Sequence, residues 1–250
     1  MENSKIEWTH HTANLWHGCT KVHEGCDNCY AESLNHRWGH DNWGYGKPRK
    51  KSVGVWSDLK NWQQKAEKSQ TFHRVFVGSM MDIFEISMPL VDSKGNKINE
   101  TTADLRERFF TEVVPNSPNL IFLLLTKRPS NINKMIPESW KRNIQLNVWF
   151  GTSISTQQNF NTLVPQLLKV DGSRFLSIEP QVESIFTDDL DGIHWVIQGG
   201  ESGHHKRPFD LNWAYLMQDI CKKEKVPYFF KQIDKVQPIP QDLMQRDLPF

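Results

Sequence analysis

The chain has 250 residues, 38% of them hydrophobic and 24% charged, and its 30 Lys and Arg stand against 29 Asp and Glu for a formal charge of +1. This composition excludes a disordered chain, and the longest purely apolar run, residues 120–125, is far short of the ~18 residues that a membrane span needs. With no global positive field, contact with nucleic acid has to rest on a local patch.

The opening segment, MENSKIEWTH, has no apolar core of a secretory signal, so a cytoplasmic location is expected. A first short strand is expected near residues 13–17. A loop over 17–31 follows and holds three of the four cysteines, Cys19, Cys26 and Cys29. Next comes an aromatic and basic insertion over about 36–62, and six of the ten tryptophans lie within the first 62 residues. Beyond it a pattern recurs in which a short apolar run ends in small or polar residues and a polar helical stretch follows. The runs are 74–79 (RVFVGS), 120–126 (LIFLLLT), 147–152 (NVWFGT), 174–179 (RFLSIE), 194–199 (HWVIQG) and 227–231 (PYFFK). Runs this continuous suit strands buried on both faces, as in a parallel sheet. Helices are expected over 102–114, 155–170 and 212–224, the last capped by Asp210. The fold class is therefore α/β, a partial or nearly closed parallel (β/α)6–7 barrel of the TIM-like kind, in one domain over 1–250.

In such a barrel the carboxyl ends of the strands meet at one face, where the chemistry sits. The tips gathered there are Gly78-Ser79-Met80, Thr126-Lys127-Arg128, Gly151-Thr152-Ser153, Ser177-Ile178-Glu179, Gly199-Gly200-Glu201 and Lys231-Gln232. Gly, Ser and Thr commonly begin loops, but Lys127, Arg128, Glu179, Glu201 and Lys231 add charge to the same face.

The cysteine spacing is C-x6-C-x2-C. Three thiolates on one loop suit three irons of a [4Fe–4S] cluster and leave the fourth iron open. Structural zinc is the competing reading, with His10, His11, His17 or His23 as a fourth ligand. Cys221, in a helical stretch, reads as a buried small hydrophobe. In the insertion, Trp43, Lys47, Arg49, Lys50 and Lys51 combine a ring for base stacking with charges for phosphates, which suits a nucleic-acid-binding flap. A lid over the barrel mouth or a solvated loop has the same composition.

Seven segments in order, from residues 16–32 (WHGCTKVHEGCDNCYAE), 75–84 (VFVGSMMDIF) and 122–129 (FLLLTKRP) to 149–153 (WFGTS), 175–180 (FLSIEP), 195–203 (WVIQGGESG) and 227–232 (PYFFKQ), carry a resemblance. The chain resembles the phage Gp37/Gp68 family (DUF5131-like) of radical S-adenosylmethionine (SAM) proteins, relatives of the spore photoproduct lyase group. That family shares the long first cysteine gap, where the superfamily norm is C-x3-C-x2-C.

The resemblance implies a radical SAM barrel in which Cys19, Cys26 and Cys29 hold a [4Fe–4S] cluster and SAM chelates the open iron. Reductive cleavage would then give a 5′-deoxyadenosyl radical that abstracts hydrogen from a substrate. It implies cofactor contacts from Tyr30 near adenine, from the backbone of Gly78, Ser79 and Met80, and from Ser153, Ser177 and Glu179. Gly199 and Gly200 would allow close approach of backbone to adenine. Lys127, Arg128, Glu201 and Lys231 are the substrate candidates, for anion contacts or proton transfer.

The expected substrate is a base or nucleotide of nucleic acid, such as a hypermodified base in phage DNA in the cytoplasm of an infected host. A flavodoxin- or ferredoxin-like protein would be the electron donor, and no membrane is involved. A peptide or small metabolite is the rival substrate. A zinc-stabilised nucleic-acid-binding protein without catalysis, or a scaffold with a purely structural cluster, are the rival classes.

Overall fold

The computed structural model describes residues 1–249, and Phe250 lies outside the described residues. The strands are β1 (His11–Ala13), β2 (Trp16–His17), β3 (Arg49–Lys51), β4 (His73–Val77), β5 (Pro89–Val91), β6 (Lys97–Thr101), β7 (Leu120–Thr126), β8 (Val148–Ser153), β9 (Ser173–Ile178), β10 (Trp195–Gly199) and β11 (Tyr228–Gln232). The helices are α1 (Tyr30–Arg37), α2 (Val55–Lys68), α3 (Thr102–Arg108), α4 (Ile132–Met135), α5 (Glu138–Arg142), α6 (Gln157–Leu167) and α7 (Leu211–Glu224).

Seven strands form one sheet in the order β1-β4-β7-β8-β9-β10-β11, and every neighbouring pair is parallel. The sheet curls into an open half-barrel, in line with the expected α/β class and parallel sheet. Helices start where their caps allow. Thr101 and Asp104 form a reciprocal capping box on α3, the Thr156 side chain accepts from the Asn159 amide on α6, and Asp210 caps α7 as its sequence position suggested.

Both faces of the half-barrel are dry, which is why its strands read as unbroken apolar runs. The convex face packs Val75, Phe122, Phe150, Leu176, Val196 and Phe230 into the main core with the helices. The concave face alternates with it and buries Phe76, Leu123, Trp149, Phe175, Trp195 and Phe229. Gly151 leaves room for this inner packing, since a Cβ there would lie 2.3 Å from the Phe175 ring. The amino-terminal segment lies across the concave side. Trp8 is buried with its ring 4.7 Å from that of Phe76 and 6.1 Å from that of Trp195, and Glu7 pairs with Arg246 at 3.3 Å.

Two expectations change. The first strand splits, because β1 joins the parallel sheet while β2 turns away into a second sheet, β2-β3-β5-β6, that the sequence did not foretell. The insertion over 36–62 is partly regular structure, since it supplies β3 and the start of α2. Among the described residues no helix is long and apolar enough to cross a membrane.

Candidate functional site

The inner row of the half-barrel turns polar at its carboxyl ends. Period-two alternation carries Leu123 and Leu125 on to Lys127, Trp149 and Gly151 on to Ser153, Phe175 and Ser177 on to Glu179, and Phe229 on to Lys231. The ends of this row, Leu125, Lys127, Ser153, Ser177, Glu179 and Lys231, line a cavity of about 240 Å³ with Trp8 and Phe76 below and the cysteine loop and α1 above. Lys127 Nζ donates to Ser153 Oγ (2.7 Å), Ser153 Oγ donates to the Glu179 carbonyl (2.9 Å), and Lys231 Nζ donates to Glu179 Oε1. Four strands thus contribute one continuous polar array. Ser177 lies buried in the same wall.

The other expected cofactor contacts are arranged differently. Asn14 holds the β4 tip by donating to Ser79 Oγ (2.9 Å) and accepting from the Met80 amide (2.8 Å). The Gly78 amide donates to Ala13, the Ser79 carbonyl accepts from Tyr30 Oη (2.9 Å), and the Met80 carbonyl accepts from Gly18. Much of the backbone of Gly78, Ser79 and Met80 is therefore already bonded within the chain. The closeness that Gly200 permits is to the residue that follows β11, because a Cβ there would meet the Ile233 carbonyl at 2.1 Å. At Gly199 it would meet Gln232 at 3.2 Å.

Two ionic clamps hold the cysteine loop over the cavity. On one side Arg128 donates to Asp82 Oδ2 (2.6 Å) and to the Thr20 carbonyl (2.6 Å). Asp82 also accepts from Thr126 Oγ1 and the Lys127 amide. On the other side Glu201, 4% exposed, takes a two-pronged contact from Arg207 and a bond from Asn28 (2.9 Å), while Arg207 also reaches the Glu24 carbonyl (3.1 Å). Burial raises the Glu201 pKa most, yet Arg207 and Asn28 together hold it below the usual carboxylate value. Arg128 and Glu201 position the loop rather than stand free for a substrate. Sequence reasoning missed Asn14, Asn28, Asp82 and Arg207. One signal was available: Asp82 and Glu85 are carboxylates inside the apolar stretch MMDIFE.

The insertion does not present the surface expected of it. Arg49 is fully buried and forms a fork-to-fork pair with Glu85 (2.9 and 2.7 Å). Its other donors go to the carbonyls of Asn42, Gly44 and Lys47 and to Thr20 Oγ1. Arg49 therefore has no group left for a phosphate, and its expected nucleic-acid role is corrected to that of a structural clasp. Trp43 is buried against Ala31 and Met80 and lines the cavity. Lys47 pairs with Asp41 (2.5 Å), Lys50 contacts His40 (2.9 Å) and Lys51 pairs with Glu100. The fully displayed ring of the insertion is Tyr45, 90% exposed, and Tyr30 shows half of its surface at the cavity mouth.

All four cysteines are free thiols, and Cys19, Cys26 and Cys29 all line the cavity. Among the described residues, however, no three His, Cys, Asp or Glu side chains form a group able to hold a metal ion. The expected [4Fe–4S] cluster is corrected on that finding, together with the SAM that was to chelate it and the zinc alternative. Cys19 and Cys29 pack instead against the small apolar cluster of Ala31, Trp43 and Met80. Cys19 Sγ contacts the Thr20 carbonyl (3.5 Å) and Arg128 (3.9 Å). Burial and then Asp82 push its thiol up to about 12 against the opposing pull of Arg128, and burial raises that of Cys29 as well. Cys26 closes a short 3-10 turn.

Residues 3–246 match the family described as "Protein of unknown function (DUF5131)", and the chain belongs to that family. No curated protein and no solved structure matches the chain.

Proposed function

We propose, for this member of the family, that the strand-end cavity is the active site of an enzyme acting on a nucleobase or nucleotide. We read the open sheet as a partial barrel of the TIM-like kind, in which the carboxyl face is the working face. The observation that carries the reading is the Lys127–Ser153–Glu179–Lys231 array at the inner ends of four strands. Core packing does not call for charged side chains at that depth, and an apolar pocket with a few convergent polar groups is the usual form of a small-molecule site.

The residues divide the work. The apolar floor of Trp8 and Phe76 and the half-exposed Tyr30 ring offer flat surfaces against which a base can lie. Tyr30 is held in place by its bond to the Ser79 carbonyl. Lys231 is the proton donor, delivering a proton from Nζ to a ring nitrogen or carbonyl oxygen, and the Glu179 carboxylate orients its ammonium. Ser153 fixes the Lys127 ammonium within the same array.

The test is a comparison of wild type with Lys231→Met. Each is incubated in cell extract with mixed nucleotides and single-stranded DNA, and the nucleosides are then resolved by mass spectrometry. A new nucleoside mass made by wild type and lost in the variant supports the reading. No new mass, together with no nucleotide binding to the purified chain, removes it.

A further inference from the structure

The charges that line the cavity do not cancel. Asp82 is paired with Arg128 (2.6 Å), Glu201 with Arg207 (2.6 Å), Lys21 with Glu32 (2.8 Å) and Glu179 with Lys231. Lys127 and Lys235 also line it, and neither forms an ion pair among the described residues. Lys127 bonds only to a hydroxyl through its ammonium. Lys231 gives one of its three ammonium hydrogens to Glu179 and keeps two.

Lys235 has an unusual backbone conformation. Its φ is +67°, the left-handed region that side chains other than Gly, Asn and Asp rarely occupy, at a cost of order ~1 kcal/mol. The turn does not need a lysine there, because Asp234 makes it. Asp234 Oδ1 accepts from the Val236 amide (2.8 Å) and the Gln237 amide (2.7 Å), and Oδ2 pairs with Lys206 (2.8 Å). The effect of the strained residue is to bring a third ammonium to the cavity. Lys235 is exposed at the rim, and partial burial and then the neighbouring Lys231 lower its pKa against the pull of Glu179 and Glu7.

We propose that Lys127, Lys231 and Lys235 form a binding site for the phosphate group of a nucleotide. Three ammonium groups against one carboxylate leave a charge that a phosphate dianion balances and a single carboxylate does not. The phosphate site follows from the unpaired lysines. The rest of the ligand, a nucleoside, rests on the reading proposed above.

Calorimetric titration of the full chain separates the two. The probes are the four 2′-deoxynucleoside 5′-monophosphates, the matching nucleosides and inorganic phosphate. At least one monophosphate is expected to bind tenfold or more tightly than its nucleoside. Lys127→Met and Lys235→Met are each expected to weaken it about tenfold, and Lys235→Met is expected to leave nucleoside binding unchanged. Lys222→Met on α7 removes the same charge elsewhere and is expected to change nothing.

Equal binding of nucleoside and monophosphate, unaffected by either substitution, overturns the phosphate site and leaves the nucleotide reading standing. Lysine-dependent binding of inorganic phosphate with no gain from any nucleoside keeps the phosphate site and overturns the nucleotide reading. No binding by any probe overturns both.

Discussion

Two sets of charged residues at and behind the cavity put similar chemistry to opposite ends. On the cysteine-loop side, Arg49, Arg128, Asp82 and Glu85 form a closed set. Arg49 and Glu85 are almost inaccessible to solvent, Arg128 lies 3.8 Å from Glu85 as well as against Asp82, and the donors of Arg49 are taken up by carbonyls and Thr20. At the strand-end array, Lys127 and Lys235 have no carboxylate partner among the described residues and Lys231 has one. The difference separates charge used as structure from charge kept for a ligand. Arginine suits the first use, with a planar fork that several fixed acceptors satisfy at once. Lysine suits the second, as a point charge on a flexible stem.

The contrast is sharpest under substitution. Arg49→Met strands the buried Glu85 carboxylate and is expected to cost about 3–5 kcal/mol in urea unfolding, whereas Arg49→Met with Glu85→Met recovers part of that loss. If the single variant were as stable as wild type, the clasp would not be structural. The next effect is from acid. His10 and His11, at the amino end of β1, have pKa values lowered to about 4, chiefly by burial, from 6.5 in the unfolded chain. Between those values the unfolded chain binds more protons, so stability is full above about pH 6.5 and falls as the pH drops toward 4. Melting curves across that window should show the loss, and a His10→Asn, His11→Phe variant should flatten it.

Smaller effects belong to the lysines. Lys127→Met gives up one bond to a hydroxyl and is expected to cost no more than about 1.5 kcal/mol while weakening phosphate binding. Lys235→Gly relieves the left-handed backbone and should stabilise the chain by about 0.5–1 kcal/mol, with the same loss of phosphate affinity. A gain in stability joined to a loss of binding is the signature of a residue retained for its ligand. Loss of both would return Lys235 to the structural class.

The parallel sheet was readable because burial on both faces leaves an unbroken apolar run. The tips Lys127, Ser153, Glu179 and Lys231 were readable because they end such runs. The second sheet was not, since β2 is a two-residue Trp-His strand and β3 is Arg-Lys-Lys, with neither alternation nor apolar content. The cysteine loop misled for a physical reason. Sequence spacing limits how far apart thiols can lie, but the loop's path decides whether they meet, and that path is set by Asn28, Arg128 and Arg207 from distant partners. The fates of Arg49 and Lys47 show the same limit, because a basic run looks alike whether its partners are phosphates or the chain's own carboxylates and carbonyls.

Trp8 has one more consequence. Its ring closes the concave side against Phe76, next to the start of the sheet, and against Trp195, close to its end. During synthesis the early strands leave the ribosome with their inner aromatic rows facing water, and the plug that covers them lacks its last wall until β10 has been made. This aromatic face therefore stays uncovered until late in synthesis, and the chain's yield in cells should follow translation speed and chaperone supply as well as its final stability.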